Sequence, residues 1–322
     1  MAARNGIKSL VTIVLFTVFC ISCDKTPDPS SHEVISKEPK DLTKQVIAEK
    51  SKEHIMWNEM DFAPHFILEG PYKGMGFGDK VIPILIDVFP EYTHSRFTGN
   101  TAQSIERSKK NENICVINFI HTPEREAHFY YSKPYIFVLP NGLIIREEER
   151  LKFTKYINEE GKISLASILE NPKLIFGVSG KTAYGKGVDE IIAKNKGKPH
   201  VIERYGKDLT EGLLQMLDLK RIDYMLTYPD MRGFLTKKLN IKTPLEYIPI
   251  AEMPEDYLLE AHIACTRNYL GEEVVAKVDG LIEKTDLIEK TAEYYSYWLN
   301  ENDKKIFRQL FNKVVKGKVN EN

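Results

Sequence analysis

Arg125 is the side chain of this sequence best suited to recognising a small molecule. Its planar guanidinium presents a fork of donors that matches a carboxylate, and it closely follows an apolar segment, 114–120, that predicts a buried strand. If the side chain faces a cleft, it anchors a ligand carboxylate. The alternative is a surface ion pair with Glu124, Glu126 or another acid, which is the usual fate of an arginine in a loop.

A second group of candidates lies at 179–185. Ser179 and Thr182 place small, hydroxyl-bearing side chains before a predicted helix at 186–195, where free backbone amides can receive an anion or a ligand carboxylate. The alternative is that Thr182 simply caps this helix. A phosphate-binding loop is excluded, because the segment lacks the Gly-x-x-x-x-Gly-Lys-Ser/Thr spacing.

Other chemistry has little support in the sequence. The histidines form no His-x-x-x-His or comparable pair, and no convincing nucleophile or pair of acids stands out. We therefore expect no catalytic residue, no metal and no cofactor. Cys115 and Cys265 both fall in predicted strands, and we expect buried free thiols, with a disulfide as the alternative in an oxidising compartment.

Composition excludes one large class of partners. The chain has 322 residues, with 45 Lys and Arg against 46 Asp and Glu, and a formal net charge of -1. Binding to nucleic acid needs an excess of basic residues to neutralise phosphates, so nucleic acid is not an expected partner. With 42% hydrophobic and 28% charged residues, the chain is typical of a globular protein of about two domains.

The N-terminal segment predicts the cellular compartment of the protein. Residues 1–23 contain Arg4 and Lys8 and then an apolar run that is too short to span a bilayer, which is typical of a secretory signal peptide. The end, Cys20-Ile-Ser-Cys23, resembles a bacterial lipobox, although Cys20 stands where an aliphatic residue is usual. We expect a protein of the periplasm or cell envelope, anchored to a membrane through lipidated Cys23. The alternative is ordinary cleavage and a free periplasmic protein.

The rest of the chain predicts an α/β fold. Residues 24–45 are polar, contain three prolines and predict a flexible linker. After the linker, strand and helix signals alternate in two cycles, the first over 54–120 and the second from 174 onwards, which indicates two α/β lobes. We place the first lobe at 46–140 plus 263–300, the second at 141–262, and a polar, fraying C-terminal tail at 301–322.

Four motifs in order resemble those of the family 3 extracellular solute-binding proteins of ABC transporters. They are the loop Asp61-Phe-Ala-Pro64, the element Gly76-Phe-Gly-Asp79, the segment from His121-Thr122-Pro-Glu-Arg125 to Ser132-Lys-Pro134-Tyr135, and the element Leu219-Lys-Arg-Ile-Asp223. The resemblance extends over roughly 50–300. It implies a two-lobed, type II periplasmic-binding-protein clamshell that closes on a small ligand by hinge motion.

The resemblance also implies roles for single residues. It makes Arg125 the anchor of a ligand carboxylate, with Thr122 beside it and Asn118 at a strand position that offers polar contacts. Phe62, next to Asp61, matches an aromatic side chain that covers the ligand. The alternative for Phe62 is plain packing in the core.

One position departs from the pattern of the amino-acid binders. Five residues beyond Asp223, where that pattern has an acid for the ligand ammonium, this sequence has Tyr228. Asp230 could substitute if Pro229 bends the chain. Without it, a buried ammonium would lack a counter-charge, which puts an ordinary α-amino acid in doubt. Four clustered tyrosines would instead favour a ring, a sugar or a peptide: Tyr205, Tyr224, Tyr228 and Tyr257.

The function that we expect is capture of a small carboxylate-bearing solute for an ABC permease, by a monomer without enzymatic activity. Two alternatives stay open. One is a ligand-sensing module that signals to a partner. The other is a dehydratase-like enzyme on the same scaffold, for which His121, Glu124 and Asp230 are candidate acids or bases without supporting spacing.

Overall fold

Two β-sheets covered by helices form the framework of the protein. The computed structural model describes residues 52–180, 182–185, 187–206, 208–254 and 257–317. These residues belong to one compact unit, Ser51–Asn322. The predicted signal peptide, Cys23 and the linker lie outside the described residues.

The strands are β1 (His54–Glu59), β2 (Thr93–Thr98), β3 (Ile114–Phe119), β4 (Phe129–Tyr131), β5 (Ile136–Val138), β6 (Gly142–Arg146), β7 (Phe176–Ser179), β8 (Val201–Arg204), β9 (Tyr224–Thr227), β10 (Leu245–Ile248) and β11 (Leu259–Thr266). The α-helices are α1 (Phe77–Val88), α2 (Thr101–Lys109), α3 (Pro123–Glu126), α4 (Leu165–Leu169), α5 (Val188–Asn195), α6 (Leu209–Asp218), α7 (Pro229–Lys238), α8 (Tyr269–Lys284), α9 (Leu287–Ser296) and α10 (Glu301–Phe311). Short 3₁₀ helices cover Glu147–Lys152 and Thr154–Tyr156, and a π-helical turn covers Asn312–Lys316.

The first sheet has the order β2-β1-β3-β11-β4, and β5 pairs with β11. β1 is parallel to β2 and β3, whereas β11 runs antiparallel to β3, β4 and β5. All six residues of β3 are buried, as expected for an apolar run in the middle of a sheet that is covered on both faces. We call this sheet and its helices the first lobe.

The second sheet has the order β10-β6-β9-β7-β8. β7 is parallel to β8 and β9, and β6 is antiparallel to β9 and β10. We call this sheet and its helices the second lobe. Two sheets, each with helices, confirm the predicted two-lobed α/β fold.

The two lobes are joined by two crossings of the chain. One runs from β5 to β6 through 139–141, and the other runs from β10 to β11. The predicted boundary at 140/141 falls within the first crossing, and the one at 262/263 falls inside β11. The largest hydrophobic core continues through this region, since it includes Trp57 and Tyr135 of the first lobe together with Met225 and Tyr247 of the second.

The segment after residue 300 differs from the sequence prediction. We expected a fraying polar tail from 301, but Glu301–Phe311 is helix α10, capped by Asn300, whose side chain accepts from the amide of Asp303 (2.9 Å). Phe307 and Phe311 are buried in the main core. The helix folds because these two apolar side chains, four residues apart, share one face of an otherwise charged segment.

The expectation of free thiols was also wrong. Cys115 and Cys265 form a disulfide with an S–S distance of 2.02 Å. The two residues lie directly opposite each other on the antiparallel strands β3 and β11, with a Cα–Cα distance of 4.1 Å. Their position in strands was predicted correctly, but their pairing depends on a register between segments 150 residues apart.

Across the described ranges, no helix is long and apolar enough to cross a membrane.

Candidate functional site

A cavity of about 550 Å³ opens where the carboxyl ends of the central strands of the first sheet face the second lobe; we call it the cleft cavity. Its walls come mainly from the first lobe, and the crossing strands and one tyrosine of the second lobe complete them. It is lined by Met60, Asp61, Phe62, His65, Phe77, Thr98, Gly99, Asn100, Thr101, Gln103, Asn118, Phe119, Ile120, Arg125, Ile136, Val138, Tyr228, Leu259 and Ala261. Apolar and polar side chains are about equal in number, although most of the exposed wall is apolar, so a ligand meets both hydrophobic surface and groups that can orient it.

Arg125 lines this cavity and is held by two contacts of its guanidinium. Its Nη1 donates to the carbonyl of Ile120 (2.9 Å), and its Cζ lies 4.5 Å from the centre of the Phe119 ring. Within the described residues it forms no ion pair with Glu124 or Glu126. The remaining guanidinium donors are therefore available to an acceptor in the cavity, where a carboxylate fits a planar fork.

Thr122 acts on Arg125 through the backbone. It is the N-cap of the single-turn helix α3, and its hydroxyl accepts from the amide of Arg125 (3.4 Å). Pro123 at the first helical position supports the same turn, since its fixed φ suits a helix start. The structure thus places Thr122 beside Arg125 but not in the lining of the cavity.

Asn118 lines the cavity near the end of β3 and has a positive φ of 55°. Asparagine tolerates this left-handed conformation better than most residues. The hydroxyl of Tyr135 donates to Asn118 Oδ1 and accepts from the Asn118 amide (3.2 Å). Burial raises the pKa of Tyr135, which keeps the phenol protonated as a donor. Asn118 Nδ2 is buried and has no protein partner among the described residues.

Phe62 and His65 form an aromatic edge of the cavity. The Phe62 ring is 40% exposed and meets the His65 ring edge-on, with 4.9 Å between centroids. His65 also packs against Phe77, at 4.3 Å. Burial lowers the pKa of His65 to about 3, so this imidazole is neutral at physiological pH. Asp61 lines the same cavity and is exposed to solvent.

Tyr228 reaches the cavity from the end of β9, and Asp230 lies behind it. Tyr228 lines the cavity, and burial raises the pKa of its hydroxyl to about 12. Asp230 is the second residue of α7 and is buried; its Oδ2 lies 4.0 Å from His65 Nε2. Asp230 therefore does not line the cavity itself but lies behind His65, which does.

Solved structures of binding proteins have the same arrangement of elements. A probable amino-acid ABC transporter extracellular-binding protein from Bacillus subtilis, ytmK, superposes with a TM-score of 0.55 at 14% identity, covering 79% of this chain and 100% of its own. Substrate-binding domain 2 of GlnP from Lactococcus lactis, in an open conformation, gives 0.53 at 12% identity, covering 78% and 96%. This chain has the fold of these binding proteins.

Further comparisons show how far this similarity extends. A histidine kinase sensor domain with similarity to periplasmic binding proteins gives a TM-score of 0.50 at 10% identity, covering 78% of this chain and 97% of its own. No protein-family model and no curated protein matches the sequence. At these identities the comparisons establish the binding-protein fold and no particular ligand.

The binding-protein fold does not bring Ser179 and Thr182 to the cleft cavity in this structure. The Thr182 hydroxyl donates to Ser179 Oγ (2.7 Å), and the Tyr205 ring covers the loop at Gly180. The alternative role of Thr182 as a helix cap was wrong, because α5 begins only at Val188. The carboxylate of Asp189 instead accepts the amides of Tyr184 (2.8 Å) and Gly185 (3.1 Å).

Five of the predicted site residues thus meet in the cleft cavity of this binding-protein fold: Asp61, Phe62, Asn118, Arg125 and Tyr228. Sequence reasoning missed His65, although Pro64 and the aromatic neighbour Phe62 marked its loop. No group of three potential metal-binding side chains occurs in the described part of the chain.

Proposed function

We propose that the protein binds a small, carboxylate-bearing solute in the cleft cavity and closes its two lobes around it. The observation that carries this proposal is the position of Arg125, which lines a cavity with mostly apolar exposed walls while its guanidinium is held by the Ile120 carbonyl and the Phe119 ring. A guanidinium that is already oriented loses little freedom on binding, so its hydrogen bonds to a ligand carboxylate are effective.

The apolar walls support a compact ligand with a hydrophobic part. A cavity of about 550 Å³ lies within the usual range for sites that enclose small molecules. Phe62 lies at its edge, where it can cover a bound ligand. Ser179 and Thr182 of the second lobe would reach the ligand only after the hinge closes, with Asp230 approaching through His65.

The fold and the N-terminal pattern support a proposal for the biological setting. We infer a monomeric binding protein of the periplasm or cell envelope, anchored through lipidated Cys23, that delivers its solute to an ABC permease. The fold shared with an ABC transporter binding protein supports transport, and binding without catalysis fits this role. The fold shared with a histidine kinase sensor domain supports a second candidate, in which the same cavity serves a sensor.

A ligand screen with two matched arginine variants tests the proposal. Arg267 makes the same types of contact as Arg125: its Nη1 donates to the carbonyl of Glu126 (3.0 Å), and its Cζ lies 4.5 Å from the centre of the Tyr130 ring, yet it does not line the cavity. Amino acids, other organic acids, sugars and short peptides would be screened by thermal shift, because a ligand that binds only the native state raises the unfolding midpoint.

We expect an organic acid or other carboxylate to raise the midpoint of the unmodified protein and of Arg267→Ala. For Arg125→Ala we expect about a 10-fold to 100-fold loss of affinity in calorimetry, the value of one or two charge-assisted hydrogen bonds. Equal loss in both variants would assign Arg125 a structural role. Selective binding of an uncharged sugar would contradict the carboxylate, and a folded protein that binds nothing in the panel would contradict the solute-binding function. Binding to an ABC permease in membranes would distinguish transport from sensing.

A further inference from the structure

Asp230 and His65 face each other across the two lobes. Asp230 belongs to α7, which follows β9 of the second sheet, whereas His65 lies in the loop after β1 of the first sheet. Their nearest side-chain atoms, Asp230 Oδ2 and His65 Nε2, are 4.0 Å apart. A small approach of the two lobes would turn this gap into a hydrogen bond.

Each of the two side chains has a second polar atom without a hydrogen-bond partner among the described residues. Asp230 is only 2% exposed, and its Oδ1 has no hydrogen-bond partner among the residues that the structure describes. His65 Nδ1 is likewise buried and unpartnered there. Because buried polar atoms are nearly always paired, the unpaired second atom of each side chain indicates that neither Oδ1 of Asp230 nor Nδ1 of His65 is fixed by a hydrogen bond to a described residue, which leaves both side chains free to change their hydrogen bonding.

When Asp230 is ionised, the buried groups around it carry more negative than positive charge. On its own helix, Arg232 forms a buried ion pair with Asp303 of α10. One guanidinium therefore faces two buried carboxyl groups. The other titratable neighbours are phenols that stay neutral: Tyr228 before the helix, Tyr247 of β10 and Tyr295 of α9. From the first lobe, His65 faces Asp230 as a neutral imidazole.

The pKa values of Asp230 and Asp303 agree with this shortage of positive charge. Burial raises the pKa of Asp230 to about 7, and the nearby Asp303 adds to the rise. The pKa of Asp303 is raised by burial to about 6, against the effect of Arg232. Burial thus raises the pKa of both acids, and of the two only Asp303 forms the ion pair with Arg232 that favours its ionised form.

We propose that Asp230 and His65 form a proton-controlled contact between the lobes, in which a protonated Asp230 donates to the neutral imidazole and stabilises the closed cavity. The inference rests on the proposed solute-binding function, because His65 lines the cleft cavity and would transmit the change to the ligand. The sign follows from the donor. Asp230 is already buried, and only its protonated form can donate a hydrogen bond to the imidazole, so closure is favoured at low pH and weakened as pH rises through about 7.

A titration of the empty protein tests the contact without any ligand. We expect the carboxyl ¹³C resonance of Asp230 to titrate with a midpoint near 7, and the imidazole ¹⁵N resonances of His65 to shift with the same midpoint although His65 itself stays neutral. The His65 response should vanish in Asp230→Asn. It should persist in the control Asp189→Asn, which changes the second residue of α5 just as Asp230 is the second residue of α7.

Ligand binding tests the consequence. The solute that gives the largest thermal shift would be titrated at about pH 5 and about pH 9, on either side of the expected transition. We expect tighter binding at the lower pH in the unmodified protein and in Asp189→Asn, and loss of this dependence in Asp230→Asn. Should Asp230→Asn not fold, the two NMR titrations of the unmodified protein and the binding data for His65→Gln decide the matter.

The outcomes separate the two proposals. A normal Asp230 titration, or no response of His65, overturns the proton-controlled contact even if a solute binds. A solute that binds equally well at both pH values overturns it as well. The expected titrations with no binding of any solute would leave the contact in place as a property of the fold and refute the solute-binding function.

Discussion

Arg232 and Asp303 form a buried ion pair that ties helix α7 of the second lobe to the C-terminal helix α10. The two side chains are 3% and 1% exposed. Arg232 Nη1 also donates to the carbonyl of Leu245, at the start of β10. Helix α10 therefore helps to hold the interior of the second lobe, although it lies far from that lobe in the sequence.

The first prediction concerns this pair. Asp303→Asn leaves the Arg232 guanidinium buried without its counter-charge, which should lower the free energy of unfolding by about 3–5 kcal/mol. The control is Glu301→Gln on the same helix, whose exposed side chain pairs with Lys304 (2.7 Å) and should have no measurable effect. Urea unfolding of both variants gives the comparison, and similar stabilities would mean that α10 is not held by the pair.

The second prediction concerns the disulfide. Replacing Cys115 and Cys265 together by alanine removes a link between segments 150 residues apart. Loss of such a link should lower the free energy of unfolding by about 2–5 kcal/mol, because the unfolded chain gains freedom. Reductant should destabilise the unmodified protein in urea unfolding and leave the double variant unchanged. No effect of reductant on the unmodified protein would indicate free thiols.

How far the sequence predicts this structure depends on whether the signal is local. Arg125 and Asn118 could be assigned to a cavity from their motif because Asn118 lies near the end of one buried strand and Arg125 closely follows that strand, and strand ends in such sheets form ligand sites. The strand β2 has no comparable signal, since Thr93–Thr98 is polar and partly exposed. No local sequence signal could have predicted that His65 lies close to Asp230, because their proximity depends on how the two lobes pack.

The same reasoning explains the misjudged C-terminal segment. Its charged residues suggested a tail, yet Asp303 is buried through its pairing with Arg232, and Phe307 and Phe311 complete the core. A charged residue is stable in the interior only when its partner is present, and the partner of Asp303 lies in the second lobe. Composition alone therefore underestimates how much of such a segment is folded.

The third prediction concerns the crossing between the lobes. Gly142 begins β6, and a Cβ atom there would lie 2.1 Å from the Tyr247 ring, whose hydroxyl donates to the carbonyl of Pro140 (3.1 Å). Gly142→Ala should therefore displace Tyr247 and destabilise the protein by about 1–3 kcal/mol.

Gly280 in helix α8 is the matched control for this change. Among the described residues, no atom apart from the adjoining backbone of its own helix lies within 4 Å of its added Cβ, so Gly280→Ala should stabilise by about 0.4–1 kcal/mol through the unfolded state. Thermal unfolding distinguishes the two variants. Equal effects would show that Tyr247 yields easily and that the crossing is not tightly packed.

The fourth prediction is that Asp230 and His65 make opposite contributions to the pH dependence of stability. The folded pKa of Asp230 is about 7, above its ordinary 3.8, so its contribution is present at low pH and is lost as pH rises from about 4 to about 7. The folded pKa of His65 is about 3, below its ordinary 6.5, so its contribution is present at neutral pH and is lost as pH falls from about 6.5 to about 3.

The two contributions overlap and largely cancel in the unmodified protein, so each becomes visible only when the other is removed. Relative to the unmodified protein, Asp230→Asn should gain stability as pH rises from about 4 to about 7, and His65→Gln should gain stability as pH falls from about 6.5 to about 3. Urea unfolding at a series of pH values measures both differences. Differences of the same sign would contradict a protonated acid facing a neutral imidazole, because only that combination makes one group bind protons on folding and the other release them.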